Sequence, residues 1–320
     1  MVAWVRLIVL LGLTMLTACP AHAAYPERPV RVIVAFAPGG AVDVVARITA
    51  QKLTERLGQS FYVENVPGAT GNIGTAQAAK ATPDGHTLLV AFSSHVVNPS
   101  LFAKLPYDPV ADFEPVALAV IAANVLVVTS SVDAKTVTEL IALIRANPGK
   151  FSYAATTNTQ AHLLGEQFRH TLGLDLVHVP FNGAGPAITS IVGGHTPIGF
   201  ATLASAISQI EAGQLRALAV LSKSRSKALP SVPTMAEAGR PPVDGDVWIG
   251  VLAPATTPAA IADLLHREIS TALARPDVEK LLIEQGLATV NETRAAFGQR
   301  IKGEIVLWRS IVETSGNKPK

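Results

Sequence analysis

Four short stretches of this 320-residue chain each close an apolar run and open a segment with helical spacing. They are Phe36-Ala37-Pro38-Gly39-Gly40, Phe92-Ser93-Ser94-His95, Thr156-Thr157-Asn158-Thr159 and Phe181-Asn182-Gly183-Ala184. All are rich in small hydroxyl, amide or glycine groups, and none contains Arg or Lys. Glycine has no Cβ, so its backbone N–H comes close to a bound molecule. The first N–H groups of a helix lack partners and carry partial positive charge, which suits a carboxylate or phosphate. The chemistry on offer is therefore recognition of an anion by neutral dipoles. A glycine turn between strand and helix is more often only a turn, so no one of these loops makes the case by itself.

Bond-making chemistry finds little support. There is no G-x-S-x-G elbow, Walker loop, G-x-G-x-x-G or H-E-x-x-H. The single cysteine, Cys19, excludes a disulfide framework, a cysteine-rich zinc site and an iron–sulfur cluster. Ser224-Arg225-Ser226-Lys227 has S-x-x-K spacing but sits in a basic run beside a proline-rich loop, and reads as a solvated charge run. His162, Glu166 and His170 fall at i, i+4 and i+8. Spread over about 12 Å of helix axis, they cannot all reach one ion. His86, His178, His195 and His266 read as structural or exposed, whereas His95, at a strand end, is expected near a ligand.

The composition suits a large core: 49% of residues are hydrophobic and 16% charged. A formal charge of +2 leaves no nucleic-acid footprint, and 5% aromatics leave little on which to stack bases. Residues 1–24 read as a signal peptide, with Arg6, an apolar run from Leu7 to Leu16 and Ala21-His22-Ala23 as the cleavage pattern. The product is expected in the periplasm. Leu16-Thr17-Ala18-Cys19 resembles a lipobox and offers the alternative of a lipidated Cys19.

The elements that must position the loops alternate strand and helix. Val30 to Ala35 reads as a strand, and Val42, Ala46, Ala50, Leu53 and Leu57 as a helix ended by Gly58. Strands are expected at Thr87 to Phe92, Val116 to Thr129, Phe151 to Ala155, Leu176 to Val179, Ile198 to Ala201, Leu215 to Leu221 and Val247 to Leu252. Thr136 and Glu139 form a capping box for a helix stopped at Asn147-Pro148-Gly149. The region from Pro258 onward reads as helical throughout. Alternation implies an α/β fold with largely parallel sheets and helices on both faces. Proline-rich stretches bracket a middle segment, as for a domain inserted into another. Lobe 1 would comprise 25–120 and 222–320, lobe 2 would be 121–221, and Val116 to Thr129 and Leu215 to Leu221 would be the two crossing strands of the hinge. A cleft between lobes is the natural ligand site.

Read in order, YPERPVRVIVAFAPGGAVDVVAR, ENVPGATGNIG, PDGHTLLVAFSS, LPYDPVADFEPVA, NPGKFSYAA, HVPFNGAGPA and WIGVLAPATTP resemble the tripartite tricarboxylate transporter solute receptors, or Bug family. The resemblance spans nearly the whole chain after residue 24. It implies a two-lobed fold of periplasmic-binding-protein type II, without catalysis or cofactor. It also implies a monomeric partner of a membrane permease with one large and one small subunit, to which it hands a small mono- or dicarboxylate. The loop with Pro38, Gly39, Gly40 and Asp43 would lie on one lobe, the loops of Thr156, Thr157, Asn158, Asn182 and Gly183 on the other. Backbone amides and ordered water would hold the carboxylate. Phe36, Ser93, Ser94, His95 and Phe181 complete the expected contacts on those loops.

Two departures stand out. Where the family commonly has a glycine-containing Ser-Ala-Gly-x-Gly-Thr stretch, this chain has Ala155-Thr156-Thr157-Asn158-Thr159. Where many members have Phe-Asp, able to bind an amino group, this one has Phe200-Ala201-Thr202, which places Ala201 and Thr202 among the expected contacts. Loss of that acid favours a plain carboxylate with an alkyl or aromatic body over an amino acid. A ligand-sensing partner of a membrane kinase is the second reading and a periplasmic enzyme the third.

Overall fold

A computed structural model describes residues 25–243 and 245–314. The expected signal peptide and Cys19 lie outside the described residues. In the first part of the chain β1 (Val30–Val34), α1 (Ala41–Leu57), β2 (Phe61–Asn65), α2 (Asn72–Ala79), β3 (Thr87–Phe92), α3 (Ser94–Leu101) and β4 (Phe113–Ala122) follow one another. Then come β5 (Asn124–Thr129), α4 (Val137–Ala146), β6 (Ser152–Thr156), α5 (Gln160–Thr171), β7 (Val177–Phe181), α6 (Ala184–Val192), β8 (Ile198–Thr202), α7 (Leu203–Glu211) and β9 (Leu215–Val220). The chain closes with β10 (Val247–Pro254), α8 (Ala259–Leu273), α9 (Pro276–Glu284), β11 (Ala288–Thr289) and α10 (Arg294–Thr314).

Local chemistry accounts for the boundaries. The β-branched run VRVIV makes β1, and α1 ends where Gly58 takes φ 74°, a left-handed cap open to glycine. Thr136 caps α4 by accepting from the Glu139 N–H, and Glu139 reaches back to the Lys135 N–H. Two short strands escape the hydrophobic pattern: β2, half exposed at a sheet edge, and the two-residue β11, inside a region expected to be helical throughout.

The strands form two sheets, ordered β11-β4-β10-β3-β1-β2 and β7-β6-β8-β5-β9. The α/β two-lobed class holds, but the sheets are mixed where largely parallel ones were expected. β1 runs parallel to β2 and β3, and β6 parallel to β7 and β8; β10 is antiparallel to β3 and β4, β11 to β4, and β5 to β8 and β9. Helical crossovers make the parallel pairs. β4, β5 and β10 carry the chain between lobes instead, so no such crossover sets their direction.

The crossings also differ in detail from expectation. The long run Val116 to Thr129 is two strands in two sheets, broken at Ala123. β9 remains within the second sheet, and among the described residues between 221 and 246 there is no strand, only an isolated bridge from Val220 to Thr234. The two crossings meet at Asn124, which is fully buried. Its Nδ2 donates to the Gly245 carbonyl at 2.6 Å and its own carbonyl accepts from the Leu221 N–H at 2.7 Å. Gly245 has to be glycine here, since a Cβ would come within 2.8 Å of the Leu221 carbonyl.

One apolar cluster backs the first sheet against α1 and α8, and another backs the second sheet against α6 and α7. A third runs continuously from Leu89 and Trp248 in the first lobe to Tyr153 and Phe200 in the second. Helix α10 lies along α3 and β4 and also touches α5, contributing Phe297 and Trp308 to that shared layer. Each large side chain fully buried there contributes about 1.5–3 kcal/mol.

Substituting Asn124→Ala strands the buried Gly245 carbonyl, a loss of about 1–3 kcal/mol. Urea denaturation should show a lowered midpoint with an unchanged slope; an unchanged midpoint would contradict this role for Asn124.

Candidate functional site

Between the two sheets, beyond the C-terminal ends of the parallel strands, lies a cleft of about 580 Å³. That volume is within the roughly 300–1,000 Å³ of small-molecule sites, and the position is where open α/β sheets bind ligands. The first lobe contributes Phe36, Gly39, Gly40, Gly68, Thr70, Gly71 and Phe92, and the second contributes Thr156, Thr157, Gln160, Asn182, Gly183, Phe200, Ala201 and Thr202.

Five helices start at this cleft. The residues preceding α1, α2, α5, α6 and α7 are Gly40, Gly71, Thr159, Gly183 and Thr202; each lines the cleft, and none caps its helix with a side chain. Three are glycine. The two threonine hydroxyls are engaged elsewhere, Thr159 donating to the Thr156 carbonyl at 2.7 Å and Thr202 to Asn124 Oδ1 at 3.4 Å. The first-turn N–H groups that have no intrahelical partner thus lie at the cleft from both lobes, except that the Leu203 N–H donates to the Ala123 carbonyl at 2.8 Å and the Ile73 N–H reaches the Gly68 carbonyl at 3.5 Å. Each helix end carries about half a positive charge. Among the described residues, no Lys, Arg, His, Asp or Glu lines it. Phe36 and Phe92 meet edge to face at 5.8 Å, and with Phe200 and Val247 they supply apolar walls.

Of the expected contacts, Phe36, Gly39, Gly40, Thr156, Thr157, Asn182, Gly183, Ala201 and Thr202 are brought together as lining. Pro38, Asp43, Ser93, Ser94, His95, Asn158 and Phe181 are not among the lining residues. Asp43, 4% exposed, turns back to its own loop, accepting from the Gly39 N–H at 3.0 Å, Asn65 Nδ2 at 2.9 Å and Arg47 Nε at 2.9 Å. Burial pushes its pKa up, but those three hydrogen bonds outweigh burial and hold it below the ordinary aspartate value. Ser93 is fully buried and tied to Trp248, whose N–H donates to the Ser93 hydroxyl at 2.5 Å. His95 is the clearest correction. It is 3% exposed, packed between Tyr107 and Phe113, with Nε2 donating to the Pro109 carbonyl at 2.8 Å. The first turn of α3 directs it into the core. Ser94 opens α3 and is half-buried. Asn158 adopts φ 61°, a left-handed conformation natural to glycine and tolerated by asparagine. The Phe181 carbonyl accepts from the Thr157 N–H at 3.0 Å, joining the two second-lobe loops.

The loop Pro67-Gly68-Ala69-Thr70-Gly71 and Gln160 were not expected at the site. Four successive residues of that loop have positive φ: 134°, 48°, 55° and 90°. Such strain persists only where surroundings over-determine it. Asn98 donates to the Thr70 carbonyl and to Asn72 Oδ1, and the Tyr107 hydroxyl donates to the same Oδ1. The proline–glycine punctuation was the available signal.

Other candidates resolve differently. Glu166 is held by Arg169 and by the Tyr153 hydroxyl, while His162 stacks on His178 with centroids 4.1 Å apart. Among the described residues no group of three His, Cys, Asp or Glu is disposed to hold a metal. Arg225 pairs with Glu237 and Lys227 with Glu279 at the surface, as a solvated charge run should. A larger hollow of about 710 Å³ on the first lobe contains Arg294, but Glu114, Asp263 and the Pro115 carbonyl already satisfy that guanidinium. The interlobe cleft, at which five helices start, is therefore the candidate binding site.

The sequence profile of the tripartite tricarboxylate transporter family receptors, TctC, matches residues 45–317. The chain belongs to this family. The receptor is 38% identical over 326 residues to Protein BugT of Bordetella pertussis, covering 98% of this chain and 99% of that one. Its structure resembles R. palustris Rpa4515 solved with adipate, with TM-score 0.85, 30% identity and coverage of 92% and 100%. It also resembles the periplasmic binding protein BugD, with TM-score 0.81, 31% identity and coverage of 92% and 100%. A third likeness is to MatC of Rhodopseudomonas palustris with bound malate, with TM-score 0.79, 31% identity and coverage of 90% and 100%. The family is one of solute receptors rather than enzymes. No described helix of the receptor is long and apolar enough to cross a membrane.

Asp43→Ala should loosen the Gly39-Gly40 loop and weaken ligand affinity about tenfold, the equivalent of about 1.4 kcal/mol, as titration calorimetry would detect. Equal affinity would remove Asp43 from the positioning of that loop.

Burial pushes the pKa of His95 and of His162 down to about 4, and that of His178 down as well. The unfolded chain therefore binds protons first, near pH 6.5, and stability is lost as pH falls from about 6.5 to 4. For His95 and His162 the loss by pH 4.5 is about 2–3 kcal/mol each. The carboxyls of Asp43 and Glu166 are held below their ordinary values, so their contribution begins to be lost only at the acid end of this window, as pH falls through the ordinary carboxylate range. His95→Phe should flatten the pH dependence of the urea midpoint between pH 7 and 4.5; an equally steep profile would show that His95 does not contribute.

Proposed function

We propose that the receptor is periplasmic, closes its lobes over a small organic acid and hands that acid to a membrane permease of one large and one small subunit. The closing bodies are 25–120 with 222–320, and 121–221, within a monomer. One observation carries the reading: five helix N-termini open onto a cleft that, among the described residues, has no cationic side chain. An acid's carboxylate is matched by such donors, and apolar walls suit its hydrocarbon body. Binding of adipate by Rpa4515 and of malate by MatC supports this ligand class. The amino-terminal pattern of residues 1–24 supports export. Ala201 leaves the second-lobe wall without an acid, which favours ligands lacking an amino group.

Closure replaces water on the carboxylate with fixed N–H and hydroxyl donors, and the ligand favours the closed form only by its differential affinity for it. The backbone at Ala123-Asn124 and around Gly245 is the place where the rotation is absorbed.

Calorimetry on refolded, ligand-free protein should detect binding of mono- or dicarboxylates but not of aspartate or glutamate, with a smaller radius of gyration in solution scattering on binding. The bound acid should be recovered unchanged. Tight binding of the amino acids alone, or binding without compaction, would contradict the reading.

A further inference from the structure

Ten buried side-chain nitrogen or oxygen atoms among the described residues have no hydrogen-bond partner in the protein. Three of them are Thr157 Oγ1, Gln160 Nε2 and Gln160 Oε1, and both residues line the cleft. The other seven belong to residues that do not. The unmet polar demand of the cleft's side chains is therefore concentrated at the start of α5. Gln160 is its first residue and only 3% exposed, so water cannot freely satisfy its amide. Buried polar groups without partners are uncommon and costly, and a pair of them on one side chain at a ligand cleft calls for a reason.

The chemistry of that amide is specific. It presents two N–H donors and one carbonyl acceptor, and the Thr157 hydroxyl can donate or accept. A carboxylate at neutral pH only accepts: it would serve the Gln160 nitrogen but place its charge against Oε1. A hydroxyl or a carboxamide both donates and accepts, and satisfies both ends.

We propose that Gln160 and Thr157 form a subsite for a neutral donor–acceptor group, so that the ligand is an organic acid bearing a hydroxyl or carboxamide in addition to its carboxylate. The proposal rests on the organic-acid reading above and narrows it. The glycine-started helices α1 and α6 take the charge, and Gln160 reads the second group. Sites built to hydrogen-bond a substituent reject analogues lacking it, because their own groups are left unpaired.

The test compares refolded, ligand-free wild type with Gln160→Met, a near-isosteric change that removes both unpaired atoms. The probes are hexanoate, its terminal hydroxy and carboxamide derivatives, and adipate, titrated by calorimetry. Wild type should bind the hydroxy or the carboxamide derivative at least about tenfold more tightly than hexanoate, and whichever leads identifies the group. Gln160→Met should erase that preference. It should also raise the ligand-free Tm by about 2 °C or more, because an amide kept for a ligand burdens the empty protein. A wild-type preference for adipate over both derivatives, a preference that survives in Gln160→Met, or a lowered ligand-free Tm would overturn the proposal. Failure of all four acids to bind would count against the organic-acid reading, and the Tm comparison would then decide on Gln160 alone.

Discussion

A backbone N–H that a helix cannot pair must find another partner, and the receptor gathers such groups in one crevice. Glycine stands before three of the five helices that open there, and glycine offers no side chain to close the end. The two threonines in equivalent places turn their hydroxyls to Thr156 and Asn124. Outside the crevice Thr136 caps α4 in the ordinary way. The contrast separates helix ends closed for stability from those left open for an anion.

Much of the remaining structure holds those ends in place. Asp43 ties the glycine loop to α1 and β2, and its charge is met by Arg47. The Asn98–Asn72–Tyr107 network fixes a loop with four consecutive positive φ values. Gly74 lets α2 lie directly on β1, where a Cβ would approach the Val66 carbonyl to 2.8 Å and Ala35 Cα to 2.9 Å. A continuous apolar layer and α10 join the lobes, while Asn124 links the crossings through hydrogen bonds rather than side-chain packing.

Strongly periodic elements were legible in the sequence: β1, α1, β3 and the capped α4 fall within a residue or so of expectation. Sheet direction was not, because alternation of strand and helix says nothing about strands that cross between lobes. Composition drew attention to the glycine and small-hydroxyl loops at Gly39, Thr156 and Asn182, which line the cleft, whereas Ala201 and Thr202 entered only through the family resemblance. His95 shows the limit of that signal. A strand-end position is shared by residues facing a cleft and residues facing a core, and only the rotation of α3 decides between Phe113 and solvent. Gln160 escaped notice because an amide in a helix reads as a surface residue until its burial and missing partners are known.

The central claim is that uncharged main-chain donors hold the anion without a countercation. A crystal structure of the receptor with its co-purified ligand tests it most directly. Carboxylate oxygens lying about 2.7–3.1 Å from N–H groups at the starts of helices from both lobes, with no Lys or Arg in contact, is the predicted result. A guanidinium or ammonium group paired with the carboxylate, or a ligand seated in the hollow beside Arg294, would contradict it.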